Sequence, residues 1–177
     1  MKRITVSLFI LFLLLLHGGY IATAGGNRIT RSRITSLANE FRGNKDFNVI
    51  NVGSLGTSVI KTAVRTNLKK ESRKDPEAAQ VLKMINGIKN ICIIEYDDCT
   101  IGVKDRFNSK VSALLDDSQM LMQARDDGDN VNIYGAVSDD SDKVTDLILY
   151  VPSDNTLICL FGTISVDAVM KLANSGK

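Results

Sequence analysis

The chain has 177 residues, of which 44% are hydrophobic, 24% charged and 6% aromatic, with a formal charge of +2. That length fits one globular domain, and the unbiased composition excludes collagen-like, coiled-coil and disordered classes. The single histidine is His17, and there is no Trp.

Lys2 and Arg3 make a basic start, residues 4–16 form an apolar run, and His17-Gly18-Gly19 breaks it. Ala22-Thr23-Ala24 then places small side chains before Gly25. This is the layout of a secretory signal peptide. Residues 1–24 are therefore expected to be cleaved and the protein to be periplasmic or secreted. Membrane association is expected only if the signal stays uncleaved, because a span needs about 20 consecutive apolar residues. Removing residues 1–24 from the 177 leaves 153, with 20 basic and 20 acidic side chains and no histidine. Such a chain can build neither a Ser-His-Asp or Cys-His triad nor a His-ligated zinc site.

Residues 25–33 read as a flexible basic tail, and residues 34–177 as a single α+β domain. Ile34, Leu37, Ala38 and Phe41 recur at helical spacing, and Gly43 is a natural stop. Residues 47–52 suggest a strand. Val59, Ile60, Ala63, Val64 and Leu68 give a second helical stripe. Asp75-Pro76 is a helix start, followed by Ala78, Ala79, Val81, Leu82 and Ile85. Residues 91–96 form an apolar strand, and Val103, Phe107, Val111, Leu114 and Leu115 a further helix that stops at Asp116-Asp117. From Gln119 the apolar period changes to two. Residues 120–125, 131–137, 144–151 and 156–164 are four successive strands, separated by turns rich in Asp, Asn, Gly and Pro. Short links between neighbouring strands imply an antiparallel meander. Ser165 caps a last helix carrying Val166, Val169, Met170 and Ala173. The expected fold is a mostly antiparallel sheet, with a C-terminal four-strand meander and helices packed on one face.

No residue pattern names a reaction or a cofactor, and no catalytic residue can be assigned. Asp126, Asp127, Asp129, Asp139, Asp140 and Asp142 are the candidates for calcium, since hard cations favour carboxylate-rich loops. The twelve-residue calcium loop with its central Gly and closing Glu is missing, and Asp-built hairpin turns explain the same residues. No metal is therefore assigned. Glu95 is the one acid within an apolar strand and reads as facing solvent. Gly53-Ser54-Leu55-Gly56-Thr57 lies where phosphates meet helix N-termini but matches neither a dinucleotide nor a P-loop pattern, so it reads as a strand-to-helix turn. Cys92, Cys99 and Cys159 fit no zinc or redox spacing. They read as buried thiols, with a Cys92–Cys99 or Cys92–Cys159 bridge as the alternative in an oxidising compartment.

Charge is divided along the chain. Residues 25–74 carry 11 basic and 3 acidic side chains, and residues 75–177 carry 9 and 17. No stacking aromatic lies among Arg28, Arg31, Arg33, Lys69, Lys70, Arg73 and Lys74, and an exported protein is not expected to meet nucleic acid.

The segments LMQARDDGDNVNIYG, TDLILYV and LICLFGTISVDAVMKLA resemble the hairpin, strand and closing signature of a Bacteroidetes family catalogued as domain of unknown function 4252. The likeness covers residues 34–175. It implies an exported protein and supplies no catalytic residues. The family is often lipid-anchored, and this chain departs from it by lacking a cysteine at the cleavage point. The sequence thus reads as a noncatalytic exported binding or interaction module of the bacterial cell envelope. Its partner would be a second copy or an envelope protein, held through an apolar sheet face. The alternative is a small exported hydrolase or ligand-binding protein with a carboxylate-lined cleft.

Overall fold

Alternating apolar residues and Asp-rich turns give the C-terminal half its strands, and the turn chemistry is visible at Asn155. That residue takes φ +50° between two strands, a left-handed conformation that Asn tolerates well, and its amide closes the turn on Pro152 O at 3.2 Å. The computed structural model describes residues 31–68, 86–126, 129–137 and 143–166. The elements are α1 (Arg31–Phe41), β1 (Asn48–Val52), α2 (Ser54–Leu68), β2 (Ile88–Glu95), α3 (Ile101–Leu115), β3 (Met120–Asp126), β4 (Asp129–Val137), β5 (Lys143–Val151) and β6 (Thr156–Ser165). The helix expected after Asp75-Pro76 lies outside the described residues, as does the last helix beyond Val166. Helix α1 begins at Arg31, so its first turn takes in three residues that the sequence assigns to the tail.

The strands form one six-stranded sheet in the order β1-β2-β6-β5-β4-β3, antiparallel throughout. The meander of β3 to β6 is as expected. The N-terminal pair joins it through β2, which docks on β6 and leaves β1 at the rim.

Directly opposed residues share a face, so the register sorts the core into two layers. Cys92, Ile94 and Tyr96 line up with Leu157, Cys159 and Phe161 and with Ile148 and Tyr150 on one face. The buried stripe of α1 (Ile34, Leu37, Ala38, Phe41) and that of α3 (Phe107, Val111, Leu115) cover this face. Between them Phe41, Phe47, Tyr96 and Phe107 form an aromatic cluster, with Tyr96 and Phe107 centroids 4.5 Å apart and Phe41 and Phe107 edge to face at 5.2 Å. Such pairs contribute about 1 kcal/mol each beyond the area they bury.

The other face has its own buried set: Ile93, Ile158, Leu147, Leu149, Val151, Val131, Ile133, Leu121, Met122 and Ile164. Helix α2 packs at the β1–β2 end of the sheet. A side chain at Gly56 would meet Val52 Cγ1 at 2.9 Å, and Val52 opposes Ile91, which packs against this second cluster. Thus α1 and α3 share one face, and α2 sits over the rim of the other.

A line of register shifts crosses the sheet. Shifts fall at Lys89 between β2 and β6, at Asp146 between β5 and β6, beside Gly135 between β4 and β5, and at Leu121 between β3 and β4. Each bulge bends its strand and steepens the twist. Bulging also resets which side chains point inward. Val144 and Leu147 share the second face although three residues apart, and so do the neighbours Leu121 and Met122.

Candidate functional site

The bulge line makes the one strongly irregular region of the described sheet, and a cleft of about 220 Å³ opens on it. Arg31 from the start of α1, Lys89 and Asn90 from β2, Thr145 and Asp146 from β5, and Phe161, Gly162 and Thr163 from β6 line it. Asp146 is buried and takes φ +57°, a conformation in which Asp is several-fold enriched over other side chains. Its Oδ1 accepts a 2.9 Å bond from the Gly162 amide, a donor that the register shift removes from the regular ladder. Gly162 has φ +142°, and a Cβ there would collide with the Gly87 carbonyl. The cleft therefore has a carboxylate in its floor, two exposed cations at its mouth, and a floor geometry fixed by close backbone packing.

Paired acids are required for glycoside hydrolysis, and among the described lining residues Asp146 is the single carboxylate. Burial holds the thiols and phenols of the described core in their neutral forms. Burial pushes the Cys92 thiol up to about 11, against the opposing pull of Arg31, and raises Cys159 and Cys99 as well. Burial likewise raises Tyr96, Tyr134 and Tyr150. The hydroxyls of Tyr96 and Tyr150 both donate to Asn108 Oδ1 on α3, at 2.6 and 2.9 Å. That network pins α3 to the sheet.

The acidic residues singled out from sequence that the structure describes are not among the lining of this cleft. Asp126 opposes Asp129 at the tip of the β3–β4 hairpin. Asp127, Asp139, Asp140 and Asp142 lie outside the described residues. Among the described residues no group of three or more His, Cys, Asp or Glu side chains could hold a metal. Glu95 is half-buried and accepts from Asn48 Nδ2 at 3.0 Å across the β1–β2 pair. Asp146, which the structure singles out, has the sequence appearance of an ordinary polar position in a strand. Its signal is the broken alternation on either side of it.

The Gly53–Thr57 segment is the strand-to-helix turn expected. The Thr57 amide and Oγ1 both bond to Gly53 O, at 2.8 and 2.9 Å, which fixes the first turn of α2 against the end of β1. Leu55 is 85% exposed and Val59, one turn further on, 71%. Val59, read as part of the buried stripe, is thus exposed, and Thr57 is buried instead. Strand β1 is the rim of the sheet, and among the described residues no strand pairs with its outer edge. Among the described residues, no helix is long and apolar enough to cross a membrane.

Fold and site together define an α+β domain built on a six-stranded antiparallel sheet, with an uncharged rim strand and a bulge-lined cleft. The chain belongs to the family described as Domain of unknown function (DUF4252), which matches residues 41–172. No curated protein and no solved structure matches it.

Proposed function

We propose that the chain is a noncatalytic, exported interaction module of the bacterial cell envelope, and that its contact surface is the outer edge of β1 with Leu55 and Val59. The observation that carries this reading is an uncharged rim strand whose outer edge no described strand pairs, followed directly by a helix on which Leu55 and Val59 are exposed. Sheet edges are usually blunted by Lys, Pro or bulges. Asn48–Val52 contains no charge and no Pro, and its pairing with β2 is regular. The opposite rim strand, β3, carries a register shift. Both sheet faces bury apolar residues within the chain, so the surface proposed here is an edge.

A second copy is the occupant. An antiparallel β1–β1 joint meets across a two-fold axis, where any charged residue near the centre would face its own sign. A strand free of charge avoids that cost. Five residues of backbone pairing and two apolar side chains fall short of the roughly 800 Å² per partner of a stable interface, so the association is expected to be weak and concentration-dependent.

Light scattering on the processed chain over a micromolar to millimolar series tests this reading. A rise toward twice the monomer mass is expected, abolished by Leu55→Asp with Val59→Asp, substitutions at exposed positions that leave the core untouched. A constant monomer mass would reject it. Export has its own test: intact mass from the envelope fraction should begin at Gly25.

The bulge cleft favours a second reading, a binder of a small polar ligand with an anionic group for Arg31 and Lys89. Lys89→Glu should then abolish a thermal shift seen with such a ligand, while the Leu55/Val59 variant keeps it.

A further inference from the structure

The structure places Cys92 and Cys159 directly opposite each other on β2 and β6, in the same buried layer beneath the helices. Both are free thiols here, with Cys159 fully enclosed and Cys92 2% exposed. Opposed residues of an antiparallel pair have Cα atoms about 4.5 or 5.5 Å apart, and disulfides need about 4.4–6.8 Å. Either type of pair therefore suits a bridge. The third thiol is excluded by distance and by its own partner. Cys99 lies beyond the end of β2, and at about 3.3 Å per residue the strand alone carries the chain roughly 10 Å from Cys92 to Glu95. Its Sγ is engaged with the Asp46 carbonyl, 3.3 Å away, in the loop before β1. Of the three pairings that three cysteines allow, the register selects one.

We propose that Cys92 and Cys159 form a cross-strand disulfide when the chain folds in an oxidising compartment, with Cys99 remaining a thiol. The setting rests on the export reading above. The oxidant is a small or protein-borne disulfide. The thiolate of one cysteine attacks a sulfur of that disulfide, forming a mixed disulfide and releasing one thiol. The other cysteine then attacks the mixed disulfide at the protein sulfur, forming Cys92–Cys159 and releasing the second thiol. Two electrons pass to the oxidant, and the two protons lost by the cysteines are taken up by the released thiols. Burial in the folded chain shields both sulfurs from an external oxidant and disfavours their thiolates, so the bond closes during folding. Once the reduced chain has folded, closure is slow.

The test uses the chain produced with its own leader, reduced and unfolded in guanidinium, then refolded in a buffer of glutathione and glutathione disulfide. Remaining thiols are alkylated and the peptides mapped by mass spectrometry. A peptide linking Cys92 to Cys159, alkylated Cys99, and a Tm raised on the order of 10 °C over the reduced protein are expected. Three alkylated cysteines, or any linkage through Cys99, would overturn the proposal. The same protein folded first in reductant and exposed to the oxidant afterwards should stay reduced for hours; closure as fast as in the refolding arm would refute folding-coupled formation. Export is judged separately by the mature N-terminus and by fractionation, so failure of that reading and failure of the bridge give different results.

Discussion

Gly162 at φ +142°, packed against the Gly87 carbonyl, is the position where one added carbon should do most damage. Gly162→Ala meets both a forbidden backbone conformation and a backbone collision, and is expected to cost about 3 kcal/mol or more, lowering Tm by about 10 °C. At Gly43 an added Cβ would have nothing within 4 Å, so Ala there should be accepted at close to no cost in the same melt. Asp146 separates charge from shape. Asp146→Asn keeps a carbonyl oxygen for the Gly162 amide and a side chain that tolerates the left-handed region, so it should cost under about 1 kcal/mol. Asp146→Ala leaves a buried amide unpaired and adds backbone strain, and should cost about 2–3 kcal/mol. Equal losses for the two, read by urea denaturation, would contradict this role. The cleft is hard to read at this scale, because Lys89, Asp146 and Gly162 become a site only when three strands are set side by side.

At the scale of elements, local pattern carries well wherever one residue period runs uninterrupted. The stripe Ile34, Leu37, Ala38 and Phe41 is the buried face of α1, and Phe107, Val111 and Leu115 that of α3. Helix α2 is legible, but its first turn buries Thr57, whose hydroxyl bonds back to Gly53 O, and leaves Val59 exposed. Apolar periodicity does not register a hydroxyl that can be buried by bonding back to the carbonyl four residues earlier. The bulges leave a trace: apolar alternation slips phase between Val144 and Leu147 and between Leu121 and Met122. Such a slip shows that a shift exists but not what it faces. Helix α3 depends on the two tyrosine hydroxyls that share Asn108 Oδ1. Asn108→Ala removes the acceptor from both and is expected to cost about 2 kcal/mol. Asn108→Asp, which keeps an oxygen there, should lose less in the same denaturation series.

For the whole molecule, strand order is the least legible feature. Neighbouring strands in the meander announce their pairing through short turns, whereas the docking of β2 on β6 joins segments more than sixty residues apart and has no local signature. That long-range pairing brings Cys92 to Cys159 and leaves β1 at the rim. It also sets the response to alkali. Burial raises Cys92 from its ordinary 9.0 to about 11 and raises Cys159, Tyr96 and Tyr150 as well. Groups whose folded values lie above their unfolded ones contribute stability that is full below the unfolded value and is lost as pH rises toward the folded one. The reduced protein should therefore hold a constant denaturation midpoint up to about pH 9 and weaken above it. With the bridge closed Cys92 and Cys159 no longer titrate and Cys99 alone of the thiols remains, raised by its own burial, so the decline above about pH 9 should be shallower until unfolded tyrosines ionise near pH 10. Identical alkaline profiles for the two forms would contradict the burial of that pair.

The central claim is that the outer edge of β1 is where a second copy pairs. Hydrogen–deuterium exchange at a series of protein concentrations tests it most directly. The outward-pointing amides of residues 48–52 should gain protection as concentration rises, while those of β3 stay constant. Exchange in β1 that is independent of concentration would contradict the account.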